Sequence, residues 1–275
     1  MPEAPEVQTV VSTLKHQIQG CTIEKVDILY PRLIETDLEK FQSNIIDQRF
    51  QTFSRWGKYL ILGLDEYDWI IHLRMEGRFY LYETLPENRK HIHAIFTLND
   101  GRYLCYHDTR KFGRMALYEK QKDWHQYPAL SKLGYDYTDP KADAIYFYNK
   151  IHKQKRPLKA ALLDQSIIAG IGNIYADEIC FACNLDPRSR CTRISKKDCQ
   201  AIVENTYRIL SEATQAGGTT IRTYTSSLGI TGLFQMSLRV HNQKGCQCPK
   251  CGRPIEKMTV VQRGTYICRH CQKRK

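Results

Sequence analysis

The sequence has no stretch of 18 uninterrupted apolar residues, and its amino terminus lacks a basic region followed by an apolar one. The first absence argues against a membrane-spanning helix, and the second argues against a secretory signal peptide. Low-complexity tracts are also missing, and 42% of the 275 residues are hydrophobic. We therefore expect a soluble globular protein of the cytoplasm, without membrane association and long enough for two domains.

Acidic residues are fewer than basic residues in this sequence. The chain has 29 Asp and Glu against 41 Lys and Arg, which gives a net charge of +12. Residues 239–275 hold ten Lys or Arg and the single acid Glu256, and residues 150–159 hold five basic residues and no acid. Charge runs are often solvated faces, but two such blocks in ordinary sequence favour a phosphate-binding surface. We expect a polyanionic partner.

A disulfide framework is not expected either, because the eleven cysteines are an odd number and no secretory signal is present. Two Cys-x-x-Cys pairs stand sixteen residues apart, and thiolates at this spacing complete a tetrahedral zinc shell with no position for substrate water. The sequence therefore predicts one structural Zn²⁺ and a hairpin over residues 258–267 that exposes Arg263 near its tip. The predicted ligands are Cys248, Cys251, Cys268 and Cys271.

Hydrophobic periodicity predicts an α+β protein. Residues 5–19 read as an amphipathic helix, and residues 22–118 as many short strands, with Asn99-Asp-Gly101 as a hairpin turn. Helical patterns follow over residues 158–163, 174–183 and 196–216. We expect an antiparallel sandwich or barrel-like domain with its helix packed alongside, then a helical domain and a zinc hairpin. The predicted boundaries are 1–130, 131–237 and 238–275.

The turn Ala169-Gly-Ile-Gly-Asn173 precedes the second of these helices. Asn173 suits an N-cap, and glycines let the backbone approach a ligand. Free amides at a helix N-terminus bind phosphate readily. An ordinary helix–helix turn explains the same residues, so both interpretations stay open.

The chain begins Met1-Pro2-Glu3-Ala4-Pro5-Glu6. Initiator methionine is usually removed before a small residue such as proline, which would leave a secondary amine beside two carboxylates. An α-amine has a pKa near ~8, against ~10.4 for lysine, and is more nucleophilic at neutral pH. Its attack on a sugar aldehyde gives a cationic iminium. The alternative is that the prolines only stiffen a tail before a helix.

Together these features resemble the bacterial formamidopyrimidine-DNA glycosylase family, which removes oxidised purines from DNA. The resemblance runs the whole length of the chain and rests on short motifs in a fixed order. Besides the amino terminus and the cysteine pairs, these are Arg55-Trp-Gly-Lys58-Tyr-Leu, His72-Leu-Arg-Met75-Glu-Gly77, Asp108-Thr-Arg110-Lys-Phe112-Gly, Leu162-Leu-Asp-Gln165, Gly170-Ile-Gly-Asn173-Ile-Tyr-Ala-Asp-Glu178 and Gly217-Gly-Thr-Thr-Ile-Arg222.

The resemblance implies a bifunctional glycosylase and abasic-site lyase that works by β,δ-elimination. It implies that Pro2 attacks C1′, that Glu3 transfers protons around the sugar and the Schiff base, and that Lys58 acts in the later acid–base steps. Glu6 matches a second acid of the site, and Arg263 is assigned to the same catalytic set as a phosphate contact. The fold implied is a β-sandwich followed by a helix–two-turns–helix domain and the zinc hairpin. The implied partner is duplex DNA that contains oxidised bases or abasic sites, bound by a monomer.

The same resemblance assigns the DNA contacts. A base inside a duplex is out of reach of an enzyme, so DNA glycosylases flip the target nucleotide out of the stack. Met75, Arg110 and Phe112 match the trio that fills the vacated stack, with Arg110 facing the orphaned cytosine. The remaining matches are Asn173, Lys155 and His91 as backbone contacts and residues 219–231 as a loop that closes over the flipped base.

Departures from the family pattern are few. Ala4 stands where leucine is common, and His241-Asn242 stands where a Tyr-Gly pair is common. Two alternatives remain at this point: an endonuclease VIII-like glycosylase for oxidised pyrimidines, and a non-catalytic nucleic-acid-binding protein. The set Met75, Arg110 and Phe112 favours a glycosylase for oxidised purines over the first alternative. The second alternative, a non-catalytic binding protein, would require the Pro2-Glu3 start and Lys58 to match the family by chance.

Overall fold

A computed structural model of the chain describes residues 1–219 and 234–275. These residues form two compact units. The first comprises Met1–Lys132 and the described end of the Gly217–Gly232 segment. The second comprises Leu133–Ala216 and Leu233–Lys275, described from Phe234 onward.

The first unit is a β-sandwich of two four-stranded antiparallel sheets, with strand orders β1-β6-β7-β5 and β2-β3-β4-β8. This arrangement confirms the predicted α+β class. Its elements are α1 (Ala4–Ile18), β1 (Ile23–Ile28), a 3₁₀ turn (Pro31–Leu33), α2 (Leu38–Ile45), β2 (Thr52–Trp56), β3 (Tyr59–Gly63), β4 (Tyr67–His72), β5 (Arg78–Tyr82), β6 (Ile92–Leu98), β7 (Tyr103–His107), β8 (Arg114–Glu119) and a 3₁₀ turn (Trp124–Gln126).

Helix α1 packs along the sandwich because its apolar residues recur at helical spacing. Val7, Val10, Leu14 and Ile18 are at most 1% exposed and join one core with residues of both sheets. Trp69 on β4 lies fully buried in this core, with the rings of four phenylalanines at centroid distances of 4.5–6.3 Å. This packing holds helix α1 against the sandwich and so fixes the position of the amino terminus.

The predicted hairpin at Asn99-Asp-Gly101 is confirmed. β6 and β7 pair in antiparallel register, and Gly101 N donates to Leu98 O at 2.9 Å. The turn works because Gly101 adopts φ +86°, a left-handed conformation that glycine reaches without strain.

The second unit is mainly helical. Its elements are β9 (Tyr135–Asp136), α3 (Ala144–Ile151), α4 (Leu158–Leu163), β10 (Ile168–Ala169), α5 (Asn173–Ala182), a 3₁₀ turn (Cys191–Arg193), α6 (Lys196–Gln215), a 3₁₀ turn (Phe234–Ser237), β11 (Glu256–Val260) and β12 (Arg263–Ile267). Among the described residues, no helix is both long enough and apolar enough to cross a membrane.

The connection from α4 to α5 is organised by one side chain. Gln165 accepts a hydrogen bond from Gly170 N at 3.0 Å and donates to Leu163 O and Ile171 O at 2.9 and 2.8 Å. Helix α5 then begins at Asn173, with Gly172 as its N-cap. The prediction of Asn173 as N-cap is therefore wrong by one position, because the Asn173 side chain bonds elsewhere.

The predicted hairpin near the carboxyl end is present as β11 and β12. Its two-residue turn, Val261-Gln262, has φ +48° and +59°, as the favoured tight hairpin turns require at both central positions. Arg263 is the first residue of β12 and is exposed. The sequence thus predicted its place next to the tip correctly.

Candidate active site and nucleic-acid contacts

The carboxylates at the amino terminus are buried and bonded to each other's backbone. Glu3 caps helix α1 and accepts from the backbone N–H of Glu6, while Glu6 Oε2 accepts from Glu3 N at 2.9 Å. Glu3 is 3% exposed and Glu6 5%. Pro2 is buried as well. This reciprocal cap fixes the backbone of the first helical turn.

Charged groups surround the α-amine at the start of the chain. Burial lowers the pKa of the Met1 α-amine below its ordinary value; the charges of Glu3 and Glu6 oppose this, and that of Lys58 lowers it further. An amine with a lowered pKa is unprotonated more often at neutral pH and so is more nucleophilic. The structure thus brings the amino terminus, Glu3, Glu6 and Lys58 into one electrostatic neighbourhood.

Glu6 has both of its oxygens engaged. Oε1 accepts from the backbone N of Thr219 at 2.7 Å and from its Oγ1 at 2.9 Å. A Cβ on Gly218, which adopts φ +80°, would lie 2.9 Å from the same oxygen. We interpret Glu6 as a residue that positions Glu3 and Gly218-Thr219. The remainder of the predicted closing loop, residues 220–231, lies outside the described part of the chain.

Lys58 lies on a tight turn between β2 and β3. Trp56 pairs with Tyr59 in the ladder, so Gly57 and Lys58 form a two-residue loop. Gly57 adopts φ +57°, and Arg55 Nη1 donates to its carbonyl at 2.7 Å. Lys58 is only 6% exposed, so it is not the surface lysine that a strand-end position usually holds.

His72, at the end of β4, is a neutral hydrogen-bonding residue. Burial, helped by the charges of Arg74 and Lys58, lowers its pKa to about 3. Nδ1 accepts from Arg74 N at 2.9 Å, so the ring proton is on Nε2. This bond helps to shape the turn that carries Met75, which is half-buried.

A buried carboxylate organises the loop that carries Arg110 and Phe112. Asp108, 1% exposed, accepts from Arg110 N at 2.9 Å, Phe112 N at 2.9 Å and Gly113 N at 2.8 Å. Arg110 and Phe112 themselves are exposed, with the guanidinium 4.9 Å from the ring centroid. The loop is therefore preformed and presents a cation and a flat ring together.

Three further contacts connect this loop to its surroundings. His93 Nε2 lies 2.7 Å from Asp108 O, and Asp108 N donates to His91 O at 3.0 Å, which places the half-buried His91 beside the loop. The Thr109 hydroxyl donates to the Glu76 carboxylate, next to Met75. The turn of Met75 and the loop of Arg110 are thus linked directly.

In the second unit, Asn173 and Arg263 are tied together through Gly264. Asn173 Nδ2 donates to Gly264 O at 3.0 Å, so the start of α5 holds the start of β12. Lys155 is exposed on the connection between α3 and α4.

Lys159 differs from its neighbours in the basic block because it is 0% exposed. Its ammonium donates to Asp177 Oδ1 at 2.7 Å, to Thr265 Oγ1 at 2.7 Å and to Gly264 O at 3.1 Å, which uses all three protons. The prediction that residues 150–159 form a phosphate-binding block is therefore wrong for Lys159, because burial removes it from any ligand.

Asp177 completes this network from the other side. Its Oδ2 accepts from Tyr266 N at 3.2 Å and lies 2.8 Å from His241 Nδ1. The neighbouring Glu178 accepts three backbone N–H groups, from Arg239 to His241, at 2.8–3.0 Å. Helix α5 therefore fixes both the hairpin and the chain that leads into it.

The four predicted zinc ligands converge. The sulfurs of Cys248, Cys251, Cys268 and Cys271 lie within 4.8 Å of one another, with Cys248–Cys271 at 3.8 Å and Cys251–Cys268 at 3.5 Å. Four thiolates about 2.3 Å from a tetrahedral zinc are about 3.8 Å apart, so the cluster fits Zn²⁺. Cys246 is exposed and is not among them.

Protonation of these cysteines opposes metal binding. Burial raises the pKa of Cys268, and it raises that of Cys271 to about 12, while a backbone hydrogen bond from Arg253 lowers the pKa of Cys251 to about 6. Zinc binds thiolates, so its binding releases protons and weakens as the pH falls.

Sequence reasoning missed the residues that support the site. Asp108 heads a short run with turn residues, and Asp side chains that bond the backbone two residues ahead are a known turn signal. No local sequence pattern indicates the role of His72 or the Lys159–Asp177 pair, because both depend on burial in the folded protein.

Three family models match the chain. They are the formamidopyrimidine-DNA glycosylase N-terminal domain over residues 1–115, the formamidopyrimidine-DNA glycosylase H2TH domain over 133–225, and the zinc finger found in FPG and IleRS over 247–274. A formamidopyrimidine-DNA glycosylase of Oceanobacillus iheyensis is 41% identical over all of this chain and 99% of its own. The chain belongs to the formamidopyrimidine-DNA glycosylase family.

Solved structures of relatives agree with this membership. The Lactococcus lactis Fpg in complex with DNA containing an abasic site has a TM-score of 0.92 and 35% identity, covering 99% of this chain and 100% of that one. The same relative with DNA containing an oxidised pyrimidine gives 0.91 and 34%, with equal coverage. The family resemblance, the fold and the zinc finger predicted from the sequence are confirmed.

Proposed function

We propose that this glycosylase excises oxidised purines through a Schiff base on Pro2 and then cleaves the strand by β,δ-elimination. The observation that carries the proposal is the burial of Pro2 together with two ionisable side chains, Glu3 at 3% and Lys58 at 6% exposure. The family name supports an oxidised purine as the substrate, formamidopyrimidine being an opened purine, and the relative's complex with abasic-site DNA supports the strand-cleavage step. Such a substrate places the enzyme with the chromosome in the bacterial cytoplasm.

The chemistry begins once Met1 has been removed. The unprotonated Pro2 nitrogen attacks C1′ of the flipped nucleotide, the bond from C1′ to the damaged base breaks, and the base leaves with a proton. Glu3 protonates the ring oxygen as the sugar opens, which leaves an iminium between Pro2 and C1′. Because nitrogen already carries the positive charge, the iminium accepts electrons from C2′.

Strand cleavage follows because the iminium accepts electrons. Loss of the C2′ proton expels the 3′ phosphate, and loss of the C4′ proton then expels the 5′ phosphate. Lys58 serves these acid–base steps, for which its buried position on the turn after β2 is suited. Water finally hydrolyses the iminium and releases Pro2.

The DNA contacts complete the proposal. Met75, Arg110 and Phe112 fill the space that the flipped nucleotide leaves, and Arg110 contacts the orphaned cytosine. Asn173, Arg263, Lys155 and His91 contact the backbone. Support comes from the preformed Asp108–Gly113 loop, which exposes Arg110 and Phe112, and from the link between Asn173 and Arg263 through Gly264.

Borohydride trapping tests the mechanism. Reduction during turnover of a duplex with 8-oxoguanine opposite cytosine should give a covalent complex, with the sugar remnant on Pro2 by peptide mass spectrometry. The matched control is protein that retains Met1, verified by intact mass, which should not trap. A remnant on Lys58, or trapping by the Met1-bearing form, would contradict the assignment.

A second candidate, action on oxidised pyrimidines, is favoured by the relative's complex with such DNA. Single-turnover excision rates on matched duplexes with an oxidised purine or an oxidised pyrimidine decide between them. We expect the purine to react faster, and a faster pyrimidine would make the second candidate the main activity.

A further inference from the structure

A shallow groove of the second unit, about 580 Å³ in volume, is lined by basic residues alone. We call it the carboxyl-terminal basic groove; its lining residues are Arg190, Arg193, Arg274 and Lys275. All four side chains are exposed. The groove has no part in the proposed chemistry, and no assigned contact lies in it.

The backbone beneath these side chains is firmly held. Arg190 N donates to Lys275 O at 3.2 Å, and Lys275 N donates to Oγ of the fully buried Ser189 at 3.0 Å. Gln272, 2% exposed, donates to Leu185 O at 2.9 Å. The convergence of the four cations is thus set by the fold.

Few of these charges are neutralised within the protein. Lys275 Nζ lies 2.7 Å from Asp198. In residues 1–219 and 234–275, none of the three arginines has a carboxylate oxygen within 4.0 Å. Three arginines held together without an ion pair of their own raise the local positive potential, which favours a polyanion.

The groove adjoins the segment that contains Lys155. Cys191 N donates to Arg156 O at 3.0 Å, Pro157 forms an antiparallel bridge with Arg190, and Leu158 N donates to Ser189 O at 2.8 Å. Positive charge therefore continues from the connection between α3 and α4 to the end of the chain.

We propose that the carboxyl-terminal basic groove binds the phosphate backbone of duplex DNA beyond the lesion, independently of sequence, as an extension of the Lys155 contact. This proposal rests on the proposed function only in taking DNA as the partner. Its lining contains no aromatic side chain, so it lacks the stacking surfaces that proteins use for single-stranded bases. The groove adds affinity for undamaged and damaged DNA alike and does not distinguish lesions.

The test is the salt dependence of binding to an undamaged duplex. The variant Arg190→Gln/Arg193→Gln/Arg274→Gln should lower the slope of log K against log salt by about 0.9 for each lost phosphate contact, hence by roughly two to three. An 8-oxoguanine duplex should show the same reduction. Single-turnover excision at saturating enzyme should be unchanged, and borohydride trapping should persist.

Two controls keep the result specific. Lys15→Gln/Lys40→Gln/Lys122→Gln removes three exposed lysines of the first unit and so also lowers the net charge from +12 to +9; its slope should stay at the wild-type value. The triple Arg→Lys variant keeps the charge and should keep the slope. An unchanged slope in the Gln variant, an equal fall in the lysine control, or a loss confined to lesion DNA would overturn the proposal. Failure of trapping in the wild type would instead count against the proposed function.

Discussion

Arg110 in the first unit lies on a short loop, Arg263 in the second lies beside a tight hairpin turn, and a buried aspartate supports each segment, yet the two are held differently. Asp108 accepts three backbone N–H groups from residues two to five positions ahead. Asp177 instead bonds Lys159, His241 and Tyr266, which are 18, 64 and 89 positions away. The first turn is thus supported locally by neutral donors, and the second by a non-local network that includes a buried charge.

Because the two segments are supported differently, different substitutions should displace each arginine. A local turn forms wherever its own residues adopt the right conformation, so its loss affects little else. The hairpin of Arg263 has a small apolar cluster of six buried residues, and it depends on the ion pair and on zinc. Changes far from Arg263 should therefore displace it, whereas Arg110 should respond to changes in its own loop and in the Met75 turn bonded to that loop.

The largest effect should come from the metal. Cys268→Ser removes one of four ligands, and zinc contributes apparent folding energies of about 10–16 kcal/mol in zinc-finger peptides. We expect loss of stoichiometric zinc, loss of amide exchange protection in β11 and β12, and weaker DNA binding, with the first unit unaffected. Elemental analysis and hydrogen exchange check this.

Cys246→Ser is the matched control, since Cys246 is exposed and outside the cluster. It should keep one zinc per chain. If Cys268→Ser retained stoichiometric zinc and full affinity for DNA, the structural role of the metal would be refuted.

The contrast between local and non-local support also explains how far the sequence could predict this protein. The helix at residues 4–18, the hairpin at Asn99–Gly101 and the cysteine pairs carry short-range patterns, which predict them within a residue or two. The prediction for Lys159 is wrong because a lysine within a basic block gives no sign that it will be fully buried. Its partner Asp177 is set by the packing of α4 against α5, which no spacing rule encodes.

The next largest effect should follow Lys159→Met, because it leaves Asp177 buried without its cation. Removing one partner of a buried pair costs about 3–5 kcal/mol. Urea unfolding of the second unit should show a loss of this order, and exchange protection near Gly264 should fall. The exposed Lys155→Met is the control and should change stability by less than about 0.5 kcal/mol.

A double variant separates loss of packing from loss of charge compensation. Lys159→Met/Asp177→Leu removes both charges and should recover part of the stability, since apolar replacements of buried pairs are often tolerated. Suppose that the double variant is less stable than Lys159→Met by the full loss of stability that Asp177→Leu causes alone. The two residues would then contribute independently, and the network interpretation would be wrong.

A smaller effect is expected for Asp108→Asn. The amide keeps one acceptor oxygen, and its NH₂ group faces backbone donors that Asp108 Oδ2 now satisfies, which costs about 1–3 kcal/mol. Stability should fall by that amount, and discrimination by the base opposite 8-oxoguanine should weaken because Arg110 is no longer held. The control Asp65→Asn, at an exposed site where the carboxylate accepts from Arg49 N, should leave discrimination intact. Normal discrimination in Asp108→Asn would show that the loop does not need its carboxylate.

The smallest and most specific change distinguishes the two arginines themselves. If Arg110 contacts the edge of the orphaned cytosine, Arg110→Ala should lose roughly 1–3 kcal/mol of preference among opposite bases. If Arg263 contacts a phosphate, Arg263→Ala should weaken binding to every lesion pair equally and lower the salt slope by about one unit. The outcomes differ because a base edge carries sequence information and a phosphate carries none. Kinetics with 8-oxoguanine opposite each of the four bases, at two salt concentrations, measure both effects in one set of experiments. An unchanged opposite-base preference in Arg110→Ala would remove Arg110 from the reading role and leave the Asp108 loop as a shape-filling element only.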